Sequence, residues 1–123
     1  MWIKICGITS LEDAVAATDA GADAVGFVFA ASPRRVTPET VREITNALPA
    51  SVEKIGVFVD TLANEIVDTC DTAGLTGVQL HGLYSPSHLS QVRIRMQRTS
   101  RPLRVIRVVH YNRDAAELAR SLQ

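Results

Sequence analysis

Apolar and polar positions follow two rhythms along the chain. Short, nearly continuous apolar runs are separated by longer segments in which apolar residues recur at helical spacing. Trp2–Cys6 is the first apolar run and Ala22–Phe29 (ADAVGFVF) the second. The second has almost no polar interruption, as a parallel strand covered on both faces requires. Lys54–Val59, Gly77–His81 and Leu103–Val109 repeat the pattern. The segments between carry helix signals. In Ser10-Leu11-Glu12-Asp13 the Ser10 hydroxyl can accept an N–H of the first turn, with Asp13 in place of the usual Glu or Gln of a capping box. Leu11, Ala14, Val15 and Thr18 follow at helical spacing, and Gly21 is a stop. Thr37-Pro38-Glu39 supplies an N-cap, a proline at the first helical position and an acid near the positive end of the helix dipole, predicting a helix to about Leu48. Further helices are predicted over Ala63–Ala73 with Gly74 as stop, from Ser85-Pro86 to about Arg98, and from Asn112 to Leu122.

The sum is five βα units in a single domain, residues 1–123, and an α/β class with a parallel sheet. Two architectures fit: five of the eight units of a (βα)8 barrel, whose usual size is at least roughly 200 residues, or an open five-stranded doubly wound sheet. Right-handed crossovers place the strand C-termini, and the loops after them, on one face. The residues at that face are Cys6, the loop Ala30–Arg35, Asp60, His81 with Gly82, and His110.

Composition narrows the class. The chain has 123 residues, of which 46% are hydrophobic. That is enough to bury roughly 65–70% of the unfolded surface. Its longest apolar run, Ala24 to Ala31, falls far short of the ~20 residues a spanning helix needs. No basic-apolar-small leader pattern opens the chain, and there are two cysteines; reduced thiols in the cytoplasm are the expectation. Net charge is zero but uneven: residues 1–90 hold five basic and eleven acidic residues, and 91–123 hold eight and two. Arg93, Arg95, Arg98, Arg101, Arg104 and Arg107 carry no interleaved aromatics and no nucleic-acid motif. They read as a solvated helix face and the strand it leads into, with no nucleic-acid partner expected.

The strand ends decide the chemistry. A phospho-acceptor receiver needs paired acids after strand one and a lysine after strand five; Cys6-Gly7 and His110-Tyr111 stand there instead, which excludes it although Asp60 is in position. No glycine-rich phosphate loop follows strand one, which argues against a dinucleotide site. Taken alone, Cys6 has two readings: a small buried residue ending a strand, or a thiol at the mouth of a site.

KICGIT at the first strand, ADAVGFVF followed by SPRRV at the second, KIGVFVD at the third and GVQLHG at the fourth together resemble the phosphoribosylanthranilate isomerases, (βα)8-barrel enzymes of tryptophan biosynthesis. The set of four, in order and spacing, is specific, and is strongest over residues 3 to 82. The resemblance implies an Amadori rearrangement of N-(5-phosphoribosyl)anthranilate to the aminoketose 1-(2-carboxyphenylamino)-1-deoxyribulose 5-phosphate. It needs no metal or organic cofactor, and its small-molecule partner is a phosphorylated sugar. By position, Cys6 matches the family's general base; a free thiol titrates near ~8.5, so the site must favour the thiolate. Arg35 matches the arginine facing the anthranilate carboxylate, a planar anion suited to a guanidinium fork; Arg34 reads as a solvated neighbour. His81 falls on a substrate-facing strand end, where a structural role is equally open, and Asp60 lines the pocket. Cys70 lies on a helix and reads as packing.

The resemblance also carries departures. Ala30-Ala31 replaces the family's aromatic, proline and lysine in the second loop, and Leu83-Tyr84 stands where acids are common. The family's general acid, an aspartate ending strand six, and its phosphate-binding loops after strands seven and eight fall beyond Gln123. The 123 residues alone are therefore expected to lack turnover. Strands one and five would be open edges, a route to a self-associating, non-catalytic half-barrel.

Overall fold

The computed structural model describes residues 1–82, 86–97 and 103–108. The elements are β1 (Lys4–Ile5), α1 (Leu11–Asp19), β2 (Ala24–Val28), α2 (Pro38–Asn46), β3 (Glu53–Val59), α3 (Ala63–Ala73), β4 (Gly77–His81), α4 (Pro86–Gln97) and β5 (Arg104–Arg107). The helix expected from Asn112, His110, and the Leu83-Tyr84 departure lie outside the described residues.

The helix signals work as the chemistry dictates. The Ser10 hydroxyl accepts the Asp13 N–H at 3.1 Å, and the Thr37 hydroxyl accepts the Thr40 N–H at 3.2 Å. Pro38 opens α2, and α3 ends at Gly74.

All pairings are parallel and the strand order is β1-β2-β3-β4-β5. Every crossover thus steps the same way. A doubly wound sheet would reverse direction after its first strands, so the open-sheet alternative is corrected: the sequential order is that of a partial (βα)8 barrel. Alternation along the strands gives each face its role. Val25, Phe27, Phe58, Val78 and Leu80 face the helices and form one buried cluster with Val41, Ile44, Ile66, Cys70 and Val92. Cys70 is 1% exposed, so packing explains it.

The opposite face is concave. Lys4 on β1 donates through Nζ to Gln79 Oε1 on β4, across two intervening strands. The Arg104 guanidinium on β5 lies 5.1 Å from the centroid of the Trp2 ring, just before β1. Adjacent strands stand about 4.8 Å apart, and side chains rise roughly perpendicular to the sheet. Such contacts across three and four strand intervals require a curled sheet, as in a barrel wall. On α4, Arg93 and Arg95 are exposed while Val92 and Met96 are buried, so this part of the basic stretch is a solvated helix face. No helix among the described residues is long and apolar enough to cross a membrane.

Candidate active site at the strand C-termini

The first strand leaves its ladder at Cys6. The N–H groups of Gly7 and Ile8 both donate to the Gly26 carbonyl, at 3.1 and 3.0 Å. This turns the chain away from β2 and leaves Cys6 exposed at the strand mouth. Its thiol lies against β2 where Gly26 has no side chain: a Cβ there would stand 3.0 Å from Cys6 Sγ. The glycine of ADAVGFVF thus gives the sulfur its room. A buried strand-end cysteine, the bland reading of KICGIT, is not what the fold contains.

The second loop separates its two arginines. The Arg35 N–H closes a turn on the Ser32 carbonyl at 3.1 Å, Arg35 bridges to Val28, and the Val36 N–H returns to the Val28 carbonyl at 3.0 Å. Arg35 then lines a hollow of about 420 Å³ on the helix side, with Phe29, Thr37, Phe58, Glu65 and Asp68. The side chain of Arg34 crosses to the first strand. It lies so close over Gly7 that a Cβ there would be 2.8 Å from Arg34 Nη1, and Gly7 itself has φ 83°. Arg34 shares a second hollow, about 510 Å³, with Cys6, Gly7 and Thr9; it runs between β1 and α1, where Asp13, Ala16, Ala17 and Ala20 also line it. Arg34 thus lies over the Gly7 turn that follows Cys6, while Arg35 lines the hollow on the helix side. The motif singled out Arg35 and read Arg34 as a solvated neighbour; the turn between Ser32 and Arg35 sends the two side chains to different places.

Asp60 and His81 meet at the tops of β3 and β4. The Asp60 N–H donates to the His81 carbonyl at 3.4 Å. Asp60 sits at φ 49°, a left-handed conformation that aspartate tolerates better than most residues. Its carboxylate occupies the space a side chain at position 82 would need, and Gly82 has φ 96°. The glycine of QLHG therefore serves two requirements at once. His81 is half-buried, and its Nε2 is 2.9 Å from Gln79 Nε2. Among the described residues, no group of three or more His, Cys, Asp or Glu gathers in a metal-holding arrangement.

Sequentially ordered parallel strands of this kind form part of the wall of a (βα)8 barrel, a fold whose active sites lie at the C-terminal mouth of the strands. The model of the N-(5'-phosphoribosyl)anthranilate isomerase family matches residues 3–121, and the chain belongs to that family. The isomerase of Symbiobacterium thermophilum is 50% identical over 92 residues, covering 75% of this chain and 41% of the relative. That of Rubrobacter xylanophilus is 52% identical over 92 residues, 74% of this chain and 45% of the relative. The chain thus spans less than half the length of these curated relatives. Among solved structures, a phosphoribosylanthranilate isomerase in complex with reduced 1-(o-carboxyphenylamino)-1-deoxyribulose 5-phosphate superposes with a TM-score of 0.88 at 38% identity, covering 99% of this chain and 60% of that one. The Thermotoga maritima enzyme gives 0.86 at 39% identity, covering 99% and 57%.

Proposed function

We propose that these residues form the base-and-clamp portion of a phosphoribosylanthranilate isomerase site. The observation that carries this reading is the exposed Cys6 thiol at the C-terminal end of β1, lying against Gly26 of β2, with Arg34 lining the same hollow. In the proposed reaction a general acid protonates the ribose ring oxygen and the ring opens to an iminium. The Cys6 thiolate removes the C2′ proton; the C–H electron pair forms the enolamine and neutralises the iminium. Tautomerisation gives the aminoketose. The acid and the phosphate-binding groups belong to the share of the family's length that these residues do not span.

Arg34 is one candidate for the anthranilate carboxylate, because it lines a hollow with Cys6, a hollow that extends along α1. Arg35, matched to that role by position in the sequence, remains the competing assignment. His81 and Asp60 contribute to the sugar side of the pocket. We propose that residues 1–123 behave as one folding unit. The test is turnover of phosphoribosylanthranilate, followed as loss of anthranilate fluorescence. A chain carrying the rest of the family's length, hereafter the full-length protein, turns it over, and the 123-residue polypeptide alone shows no rate typical of an enzyme. A full-length protein without turnover overturns the reading.

A second reading, self-association of a half-barrel, is favoured by one specific feature. Ile3 and Ile5 at the β1 edge and Leu11 and Val15 on α1 are each more than 40% exposed. Unpaired strand edges with apolar neighbours invite another chain. Light scattering showing the 123-residue polypeptide as a monomer at micromolar concentration removes this reading.

A further inference from the structure

The inner face carries a chain of polar side chains that leads up to the site. Lys4, Gln79 and His81 all point to the concave side, Lys4 from β1 and the other two from alternate positions of β4. Lys4 Nζ donates to Gln79 Oε1, and Gln79 Nε2 is 2.9 Å from His81 Nε2. All three are half-buried.

The donor and acceptor inventory fixes the protons. A lysine ammonium has three donors and no acceptor, so the group facing it must be the amide oxygen of Gln79. The amide NH₂ of Gln79 then faces His81. It has only hydrogens to offer, so His81 Nε2 must carry a lone pair. A neutral imidazole with an accepting Nε2 holds its proton on Nδ1. An imidazolium, or the opposite tautomer, would set N–H against N–H across this contact.

We infer that Lys4 and Gln79 are positioning residues that hold His81 as the neutral Nδ1–H tautomer. This rests on the isomerase reading only for the use made of the tautomer. His81 is then a neutral imidazole whose donor is Nδ1–H. Its Nε2 is occupied and cannot compete with Cys6 for the C2′ proton. The inference explains why β4 spends an inward position on glutamine and β1 spends one on lysine, where a barrel interior ordinarily takes apolar side chains.

The test is ¹⁵N nuclear magnetic resonance of the imidazole groups in the full-length protein, with His81 assigned by loss of its signals in His81→Asn. The expected result is a protonated Nδ1 and an unprotonated Nε2. Gln79→Glu, which keeps size and puts an acceptor against the ring, moves the proton to Nε2. It also lowers kcat/KM about tenfold, the worth of roughly one hydrogen bond. Lys4→Met frees the amide to turn and gives a mixture of tautomers, a second variant that does not depend on a buried carboxylate. An Nε2–H tautomer in the unaltered protein, or an unchanged tautomer in Gln79→Glu, overturns the inference. The tautomer decides this whatever the turnover, and turnover of phosphoribosylanthranilate by the unaltered protein decides the isomerase reading separately.

Discussion

At the N-terminal end of the sheet polar groups hold one another; at the C-terminal end they stand at open mouths. Below, the Asp23 carboxylate accepts the Ile3 N–H at 2.8 Å, and Glu53 accepts from Trp2 Nε1 and from Arg104 Nε, each at 2.9 Å. The Thr76 hydroxyl accepts the Lys54 N–H and Lys54 Nζ donates to the Pro49 carbonyl, both at 2.8 Å. These bonds tie β1 to β3, β3 to β5 and β3 to the end of α2. Above, Cys6, Arg34, Arg35 and Asp60 are all exposed, and the backbone bends to present them, with positive φ at Gly7, Asp60 and Gly82. The division is the general one of a (βα) barrel: one end secures the strands and the other carries the chemistry. Substitutions at the two ends should therefore affect different measurements.

The largest effect belongs to the upper end. In the full-length protein, Cys6→Ser lowers kcat by about 10²- to 10⁴-fold, the range for a positioned proton-transfer group. The melting temperature stays nearly unchanged because the thiol is exposed. The two arginines come next. Arg34→Ala lowers kcat/KM about 10- to 100-fold, as loss of a charge-assisted hydrogen bond does. Arg35→Ala changes it severalfold at most, an effect of about one exposed charge. If the order is reversed, Arg35 is the clamp and the contact of Arg34 with Gly7 is packing only.

The lower end yields smaller effects of the opposite kind. Glu53→Ala removes the bonds to Trp2 and Arg104 and costs about 1 kcal/mol by denaturant titration, with kcat/KM unchanged. A change in rate of more than a few fold would join the two ends that the comparison separates. The smallest is a pH effect at Lys54, which is 6% exposed and whose pKa burial pushes below its usual 10.5. Between that lowered value and 10.5 the unfolded chain binds more protons than the folded one, so stability rises with pH across this window. Lys54→Met flattens the rise; an unchanged slope would mean that the lysine is not the group titrating.

Much of this was legible in the sequence, for reasons that also mark where legibility stops. Capping residues, Gly74 and the apolar runs announced α1 to α3 and β2 to β4 because each signal is local. β1 is shorter than its apolar run, Trp2–Cys6. Among the described residues it pairs with β2 alone, the Ile3 N–H is held by a side chain, and Gly7 with Ile8 turns onto a single carbonyl. Five βα units alone left two architectures open, since strand order depends on which way each crossover packs. Cys6 was visible through its motif, and its exposure follows from the turn at Gly7. The motif singled out Arg35, while the placement of Arg34 over Gly7 depended on a turn that no propensity marks. The Lys4–Gln79–His81 chain was within reach of period-two alternation: Lys4 shares a face with Cys6, and Gln79 with His81. What the pattern lacked was the curvature that brings β1 over β4.

The central claim is that the chemistry of this chain is centred on Cys6. Thiol alkylation tests it directly, because the second cysteine of the chain, Cys70, is buried and Cys6 is exposed. Iodoacetamide should modify Cys6 in the folded full-length protein, as read by peptide mass, and turnover of phosphoribosylanthranilate should fall in proportion to that modification. Reduced 1-(o-carboxyphenylamino)-1-deoxyribulose 5-phosphate should protect both. Full turnover by protein carrying the alkyl group on Cys6 would contradict the account.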